Sequence, residues 1–205
     1  MPSPQCTCGA GTQAAPKETK VVYRSHFDAV EFAGYDRSEL PDYVYRIEHI
    51  GTQSRHDLHT HDYVAADDDC KFPNLATLEK SIENHLDWQC REPSPFLSGF
   101  TSRTDALNWA KVKLTDDHDS FYSIRLITID VNMVRNAPGS DRLPVLSIFR
   151  LWDEIDIHPH LRPKNEEVLF MYRIPAKAVI SVQRLGDLVD HSGTWCCHHL
   201  IKIRC

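Results

Sequence analysis

Apolar and polar residues alternate along Tyr43-Val44-Tyr45-Arg46-Ile47-Glu48-His49-Ile50, the period of two that marks a half-buried strand, with Arg46 and Glu48 on one face. The period changes after Asn74, where Leu75, Leu78, Ile82 and Leu86 recur at helical spacing over a segment reaching about Gln89. Asn74 supplies the N-cap of that helix. Pro93 and Pro95 end the region, and Phe96 to Ser102 predicts a short buried strand that breaks at Gly99. Ser102 or Thr104 then caps a second helix, whose buried side is Ala106, Leu107, Trp109 and Ala110.

Ser123 to Val134 (SIRLITIDVNMV) is the clearest strand of the chain, with Ile124, Leu126 and Ile127 in a nearly continuous apolar run. Leu143 to Trp152 is apolar and fits either a strand or a short helix. His158-Pro159-His160-Leu161-Arg162-Pro163 predicts a rigid loop that delivers the chain to Asn165. Glu167 to Ile174 is a buried run stopped by Pro175, and Val179 to Arg184 closes the sheet. Trp195 to Cys205 is expected as an edge strand, Val21-Val22-Tyr23 as a short strand and Phe27 to Phe32 as a helical turn.

This order predicts an α+β fold of short strands with two substantial helices between the first strand and the third. Residues 1–20, rich in Pro, Gly, Ala, Ser, Thr and Gln, are expected as a disordered or loosely held tail, and residues 21–205 as one domain. Gly51 to Asp69 carries three His and five Asp with one Gly, the composition of a long loop.

Composition narrows the function classes. Hydrophobic residues make up 41% of 205, enough for a real core, and no apolar run approaches the length of a membrane span. A formal net charge of -6 argues against a broad grip on duplex DNA or an anionic membrane, while leaving room for a local basic site. The first 20 residues have no apolar signal core, Met1-Pro2 excludes myristoylation, and Ile203-Arg204-Cys205 is no prenylation box. A cytoplasmic location is therefore expected, with the seven cysteines reduced.

Two metal arrangements come up and neither is adopted. His56-x-x-His59-x-His61-Asp62 has ligand residue types at close spacing, but lies in a segment polar on all sides. Cys6 and Cys8 with Cys196, Cys197, His198 and His199 suggest a zinc clip between the termini, without the usual Cys-x-x-Cys pair. With strand alternation, Cys196 and His198 share one face and form the pair to watch. The 8 glycines form no phosphate-cradling loop or dinucleotide fingerprint, and no Gly-x-Ser-x-Gly elbow is present.

Glu166 and Glu167 stand where Asn165-Glu166-Glu167-Val168 enters its apolar strand, and a carboxylate there is costly unless something pairs with it or uses it. Strand alternation sends the two to opposite faces, so one at most can look into a cleft shared with Arg46. Three features recur in one order: Tyr45-Arg46 in the first good strand, Pro95-Phe96-Leu97-Ser98-Gly99-Phe100 leading to Ala106 and Ala110, and Asn165-Glu166-Glu167-Val168. In that order the chain resembles the ADP-ribosyltransferase-like fold of the arginine-serine-glutamate type, over roughly Tyr43 to Val182. It is also similar to a set of uncharacterised fungal domains with an Arg-Ile/Val-Glu-His strand and a late Leu-Phe…Arg-Ile-Pro-Ala segment.

The resemblance implies a split mixed β-sheet with flanking helices, NAD as substrate, and ADP-ribosyl transfer or NAD glycohydrolysis to an unidentified acceptor. It implies that Arg46 meets the pyrophosphate or nicotinamide ribose, and that Ser98 holds the ribose and orients the glutamate. Glu167 then becomes the catalytic carboxylate, hydrogen-bonded to a ribose hydroxyl beside an oxocarbenium-like centre, and Phe100 joins Arg46 and Ser98 in binding the cofactor. Two departures from the family pattern stand out. Ser98-Gly99-Phe100 replaces Ser-Thr-Ser or Ser-Thr-Thr, and Asn165 occupies the place of a Glu or Gln that serves the acceptor. Two other readings remain open. One is a different group transfer on the same scaffold, such as an arginine-containing cyclodipeptide synthase that would use charged tRNA. The other is a non-catalytic binding module.

Overall fold

The structure, a computed structural model, describes residues 40–87, 89–116, 120, 122–137, 145–154, 157–161 and 166–188. The N-terminal tail and the elements expected at Val21–Tyr23, Phe27–Phe32 and Trp195–Cys205 lie outside these residues. So do Asn165 and the cysteines and histidines of the suggested clip.

The alternating segment forms β1 (Tyr43–Glu48), with Val44 wholly buried. It sits inside a six-stranded sheet with β4 (Phe96–Phe100), β5 (Arg125–Asp130), β6 (Val145–Ser147), β7 (Glu167–Met171) and β9 (Val179–Arg184), in the order β6-β7-β4-β1-β5-β9. A smaller sheet joins β2 (Arg55–His56), β3 (Tyr63–Val64) and β8 (Arg173–Ile174) in that order. The helices are α1 (Leu75–Leu86), α2 (Arg103–Asp116), α3 (Val131–Arg135) and α4 (Ile148–Glu154). The class is α+β, as expected. Every ladder between described residues is antiparallel, so the sheet has none of the parallel pairs that a mixed sheet would include.

The contact between β1 and β4 is short. It consists of one register pair, Tyr45 with Phe100, whereas β1 pairs with β5 along all six residues. The two central strands therefore part beyond Tyr45 and Phe100, and the sheet opens at Arg46 and Ser98.

Alternation on each strand divides the core. Val44, Leu97, Ile127, Ile129, Val168 and Phe170 pack together with Val131 and Val134 of α3. Phe96, Leu169 and Met171 meet Leu78, Ile82 and Leu86 of α1. Ile47, Phe100 and Leu126 meet Ala106 and Ala110 of α2.

The element boundaries follow local chemistry. Asn74 and Thr77 form a reciprocal capping box at the start of α1. The helix stops at Leu86, short of Gln89, because Asp87 turns extended and its carboxylate accepts from the Gln89 N–H. Ser102, rather than Thr104, precedes α2, its hydroxyl accepting from the Asp105 N–H. The long strand expected through Val134 ends at Asp130, whose side chain accepts from the Met133 N–H and starts α3. Leu143 to Trp152 resolves into both alternatives in turn, β6 and then α4. The run after Glu167 is broken at Tyr172, which has φ 64, and there the chain leaves the large sheet for the small one.

Gly99 does not break its strand. A Cβ there would lie 2.6 Å from Val44 Cγ1 and 3.1 Å from a ring carbon of Phe170, so glycine allows β1 and the β4–β7 pair to close on each other. The Ser-Gly-Phe departure noted in the sequence is in this structure a packing requirement.

Candidate active site

Ser98 is the hub. It lies on β4 between the buried rings of Phe96 and Phe100, in register with Leu169 of β7. The Arg46 guanidinium reaches it across the opening of the sheet, Nη1 donating to the Ser98 carbonyl at 2.7 Å. Arg46 thereby supplies the donor that backbone pairing no longer provides at that level. Its Nη2 donates to Ser54 Oγ at 2.8 Å, and its buried Nε has no hydrogen-bond partner. Arg46 is 5% exposed. Burial draws its pKa down to about 10, opposed by the negative fields of Glu48, Tyr63 and Glu167, and the guanidinium stays cationic at neutral pH.

Glu167 faces this group. It is half-buried, and loss of hydration raises its carboxyl above the ordinary value. A hydrogen bond with the Ser98 side chain and the charge of Arg46 work against that rise. Glu166 turns away, as alternation requires. It is exposed, its carboxylate accepts from Thr101 Oγ1 at 2.9 Å, and its carbonyl accepts from the Thr101 N–H.

A histidine completes the cluster. His85 Nε2 lies 2.7 Å from Ser98 Oγ, and His85 Nδ1 lies 2.6 Å from Ser94 Oγ. The ring meets Phe96 edge-on at a centroid distance of 5.7 Å. Burial, reinforced by the Arg46 charge, pushes His85 down to about 4, so its imidazole is neutral at physiological pH. His85 lies three residues after Ile82 and seven after Leu78, on the same side of α1 as those buried residues. That spacing was the available signal.

Phe100, expected at the cofactor, is 8% exposed and packs in the α2 core, its ring 6.3 Å from that of Trp109. Glu48 does not hydrogen-bond Arg46 and instead pairs with Arg125 of β5 at 3.4 Å. Within the histidine-rich segment, Asp57 accepts the N–H groups of His59 and Thr60, and the turn between β2 and β3 carries His61 at φ 60. Asp62 is buried, accepting from Ala176 N–H at 2.8 Å and from Arg173 Nη1 at 3.3 Å. Among the described residues no group of three or more His, Cys, Asp or Glu could hold a metal ion. Among the same residues no helix is long and apolar enough to cross a membrane.

The cluster thus joins a buried cation, a neutral imidazole, a hydroxyl and a partly accessible carboxyl. Such a carboxyl can accept a hydrogen bond from a ligand hydroxyl and face a developing positive charge.

A family profile described as Domain of unknown function (DUF7587) matches residues 39–188. No curated protein matches the sequence. Among solved structures, the chain is similar to Thermus sp. 2.9 DarT in complex with ADP-ribosylated ssDNA. The identity is 16%, over 72% of this chain and 85% of that one, with a TM-score of 0.39. It is likewise similar to Thermus sp. 2.9 DarT in complex with NAD+, at 16% identity over 75% and 87% of the two chains and the same TM-score.

Proposed function

The chain belongs to the family described as Domain of unknown function (DUF7587), and we propose that this domain is an ADP-ribosyltransferase-like enzyme that cleaves NAD. One observation carries the reading. Arg46, Ser98 and Glu167, distant in sequence and singled out by their order along it, form one connected group. Arg46 donates to the Ser98 carbonyl, Glu167 stands on the neighbouring strand opposite Phe100, two residues along from Ser98, and both the Ser98 side chain and the Arg46 charge act on its carboxyl.

In this reading Glu167 accepts a hydrogen bond from a hydroxyl of the nicotinamide ribose. The bond between ribose C1′ and the nicotinamide nitrogen breaks, and its electron pair leaves with nicotinamide, discharging the pyridinium. The positive charge that develops on the ribose faces the fixed carboxylate, a preorganised stabilisation. An oxygen or nitrogen of the acceptor then bonds to C1′ and gives up its proton. With water as acceptor the reaction is glycohydrolysis. Ser98 aims the carboxylate and meets the ribose. Arg46 takes an NAD oxygen through Nη2 once Ser54 yields it, since a guanidinium suits phosphate and ribose oxygens alike. Phe100 supports the site from the α2 core.

The test is nicotinamide release from NAD by the purified chain, with Glu167→Gln as control, beside thermal unfolding with and without NAD. Release that Glu167→Gln abolishes, and a rise in Tm with NAD, are expected. Neither release nor stabilisation by NAD would sink the reading.

A further inference from the structure

We propose that His85 is a positioning residue for Glu167: gripped between the hydroxyls of Ser94 and Ser98, it dictates which way the Ser98 hydroxyl points. This deepens the reading of the same site and rests on it for its catalytic consequence, while its structural content stands on geometry alone.

Hydrogen counting carries the inference. Ser94 Oγ already accepts the Phe96 N–H at 3.1 Å, and its loop is pinned by the Asp67 N–H on the Ser94 carbonyl and the Tyr172 N–H on the Pro95 carbonyl. A neutral imidazole has one N–H and one bare nitrogen, so two arrangements satisfy both ring contacts. In the first, Ser94 O–H donates to Nδ1, Nε2–H donates to Ser98 Oγ, and the Ser98 O–H is left to donate to Glu167. In the second, Nδ1–H donates to Ser94, Ser98 O–H is spent on Nε2, and Ser98 can only accept from Glu167.

The proposed chemistry uses Glu167 as a carboxylate, which has no hydrogen to give and so selects the first arrangement. Every hydrogen then points toward the carboxylate, along Ser94, His85, Ser98 and Glu167. The charge of Arg46 acts on both His85 and Glu167. It lies against the Ser98 carbonyl and adds no competing acceptor. His85 is thus coupled to the carboxylate through one hydroxyl. That hydroxyl is directed away from His85, so Ser98 is a relay in this site and not a nucleophile.

The full chain labelled with 15N-histidine tests this at neutral pH, the His85 signals being assigned by their loss in His85→Gln. We expect a protonated Nε2 and a bare Nδ1. A protonated Nδ1, or labelling of Ser98 by a fluorophosphonate, would overturn the proposal. In NAD cleavage, His85→Leu should lower kcat roughly ten- to hundred-fold with KM little changed. His85→Gln, whose amide can still donate to Ser98, should recover part of that loss. Equal loss in both variants, with both still folded, would also overturn it. If the wild-type chain cleaves no NAD, the proposed function fails, while the tautomer still decides the hydrogen-bond direction.

Discussion

Arg46 Nη1 donates to the Ser98 carbonyl at 2.7 Å, Arg46 lying one residue and Ser98 two residues from the Tyr45–Phe100 register pair that joins β1 to β4. A side chain takes over where backbone pairing stops, and this places a cation at the point where the sheet opens. The same guanidinium moderates the cost of the Glu167 carboxyl. Strand geometry and site electrostatics are thus one arrangement, and a change at Arg46 acts on both.

Arg46→Ala should therefore destabilise the fold as well as end activity. It leaves the Ser98 carbonyl without its donor and removes a counter-charge from Glu167, at a cost of about 1–3 kcal/mol for the orphaned group. Arg46→Lys keeps the charge but not the fork that serves Ser98 and Ser54 together, so an intermediate loss is expected. Urea unfolding of the three proteins checks the order. Equal stability of all three would show that Arg46 does not hold β1 to β4.

Gly99→Ala should cost about 1–3 kcal/mol, the range for overpacking, because the new Cβ would meet Val44 Cγ1 at 2.6 Å. Shortening the neighbour should relieve the clash, so Val44→Ala combined with Gly99→Ala should lose less than the sum of the two single changes. A double-mutant cycle measures that coupling. Strict additivity would mean that the strands had moved apart instead.

The sequence was most legible where period and capping agreed. The alternation around Arg46, the Asn74 cap and the leucine spacing of α1 match the folded elements, because each is set within a few residues. Boundaries decided by a single side chain were missed, as where Asp130 turns from the end of β5 to the cap of α3. Arg46, Ser98 and Glu167 stand out by their order along the chain, and the fold lays Arg46 against Ser98. His85 does not stand out, since a polar residue on an apolar helix face shows no partner until β4 is laid against it. The contact of Phe100 with Trp109 is set by the docking of α2 on β4, which the order of residues along the chain does not show.

Acid should weaken the fold through His85. Its pKa is about 6.5 in the unfolded chain and about 4 in the folded one, so the unfolded state binds more protons between those values. Stability should fall by up to about 3 kcal/mol as pH drops through that window. Glu167 acts in the opposite sense. Its folded pKa is raised, so its contribution is present in acid and lost as pH rises through the folded value. Denaturant midpoints from pH 7 to 4 check both: His85→Gln should flatten the profile, and Glu167→Gln should steepen it. A wild-type profile unchanged by His85→Gln would contradict a neutral imidazole at this half-buried position.

Ser54 holds Arg46 Nη2, and the proposed chemistry needs that donor. Ser54→Ala removes the competing acceptor without touching Ser98 or Glu167. The donor then loses its partner before NAD arrives, which raises the free energy of the empty site relative to the occupied one. A neutral hydrogen bond is worth about 1 kcal/mol net, so the KM for NAD should fall about fivefold while kcat changes little. The opposite result, a higher KM with kcat intact, would mean that Ser54 orients the guanidinium for NAD rather than competing with it. Initial rates of nicotinamide release over a range of NAD concentrations separate the two.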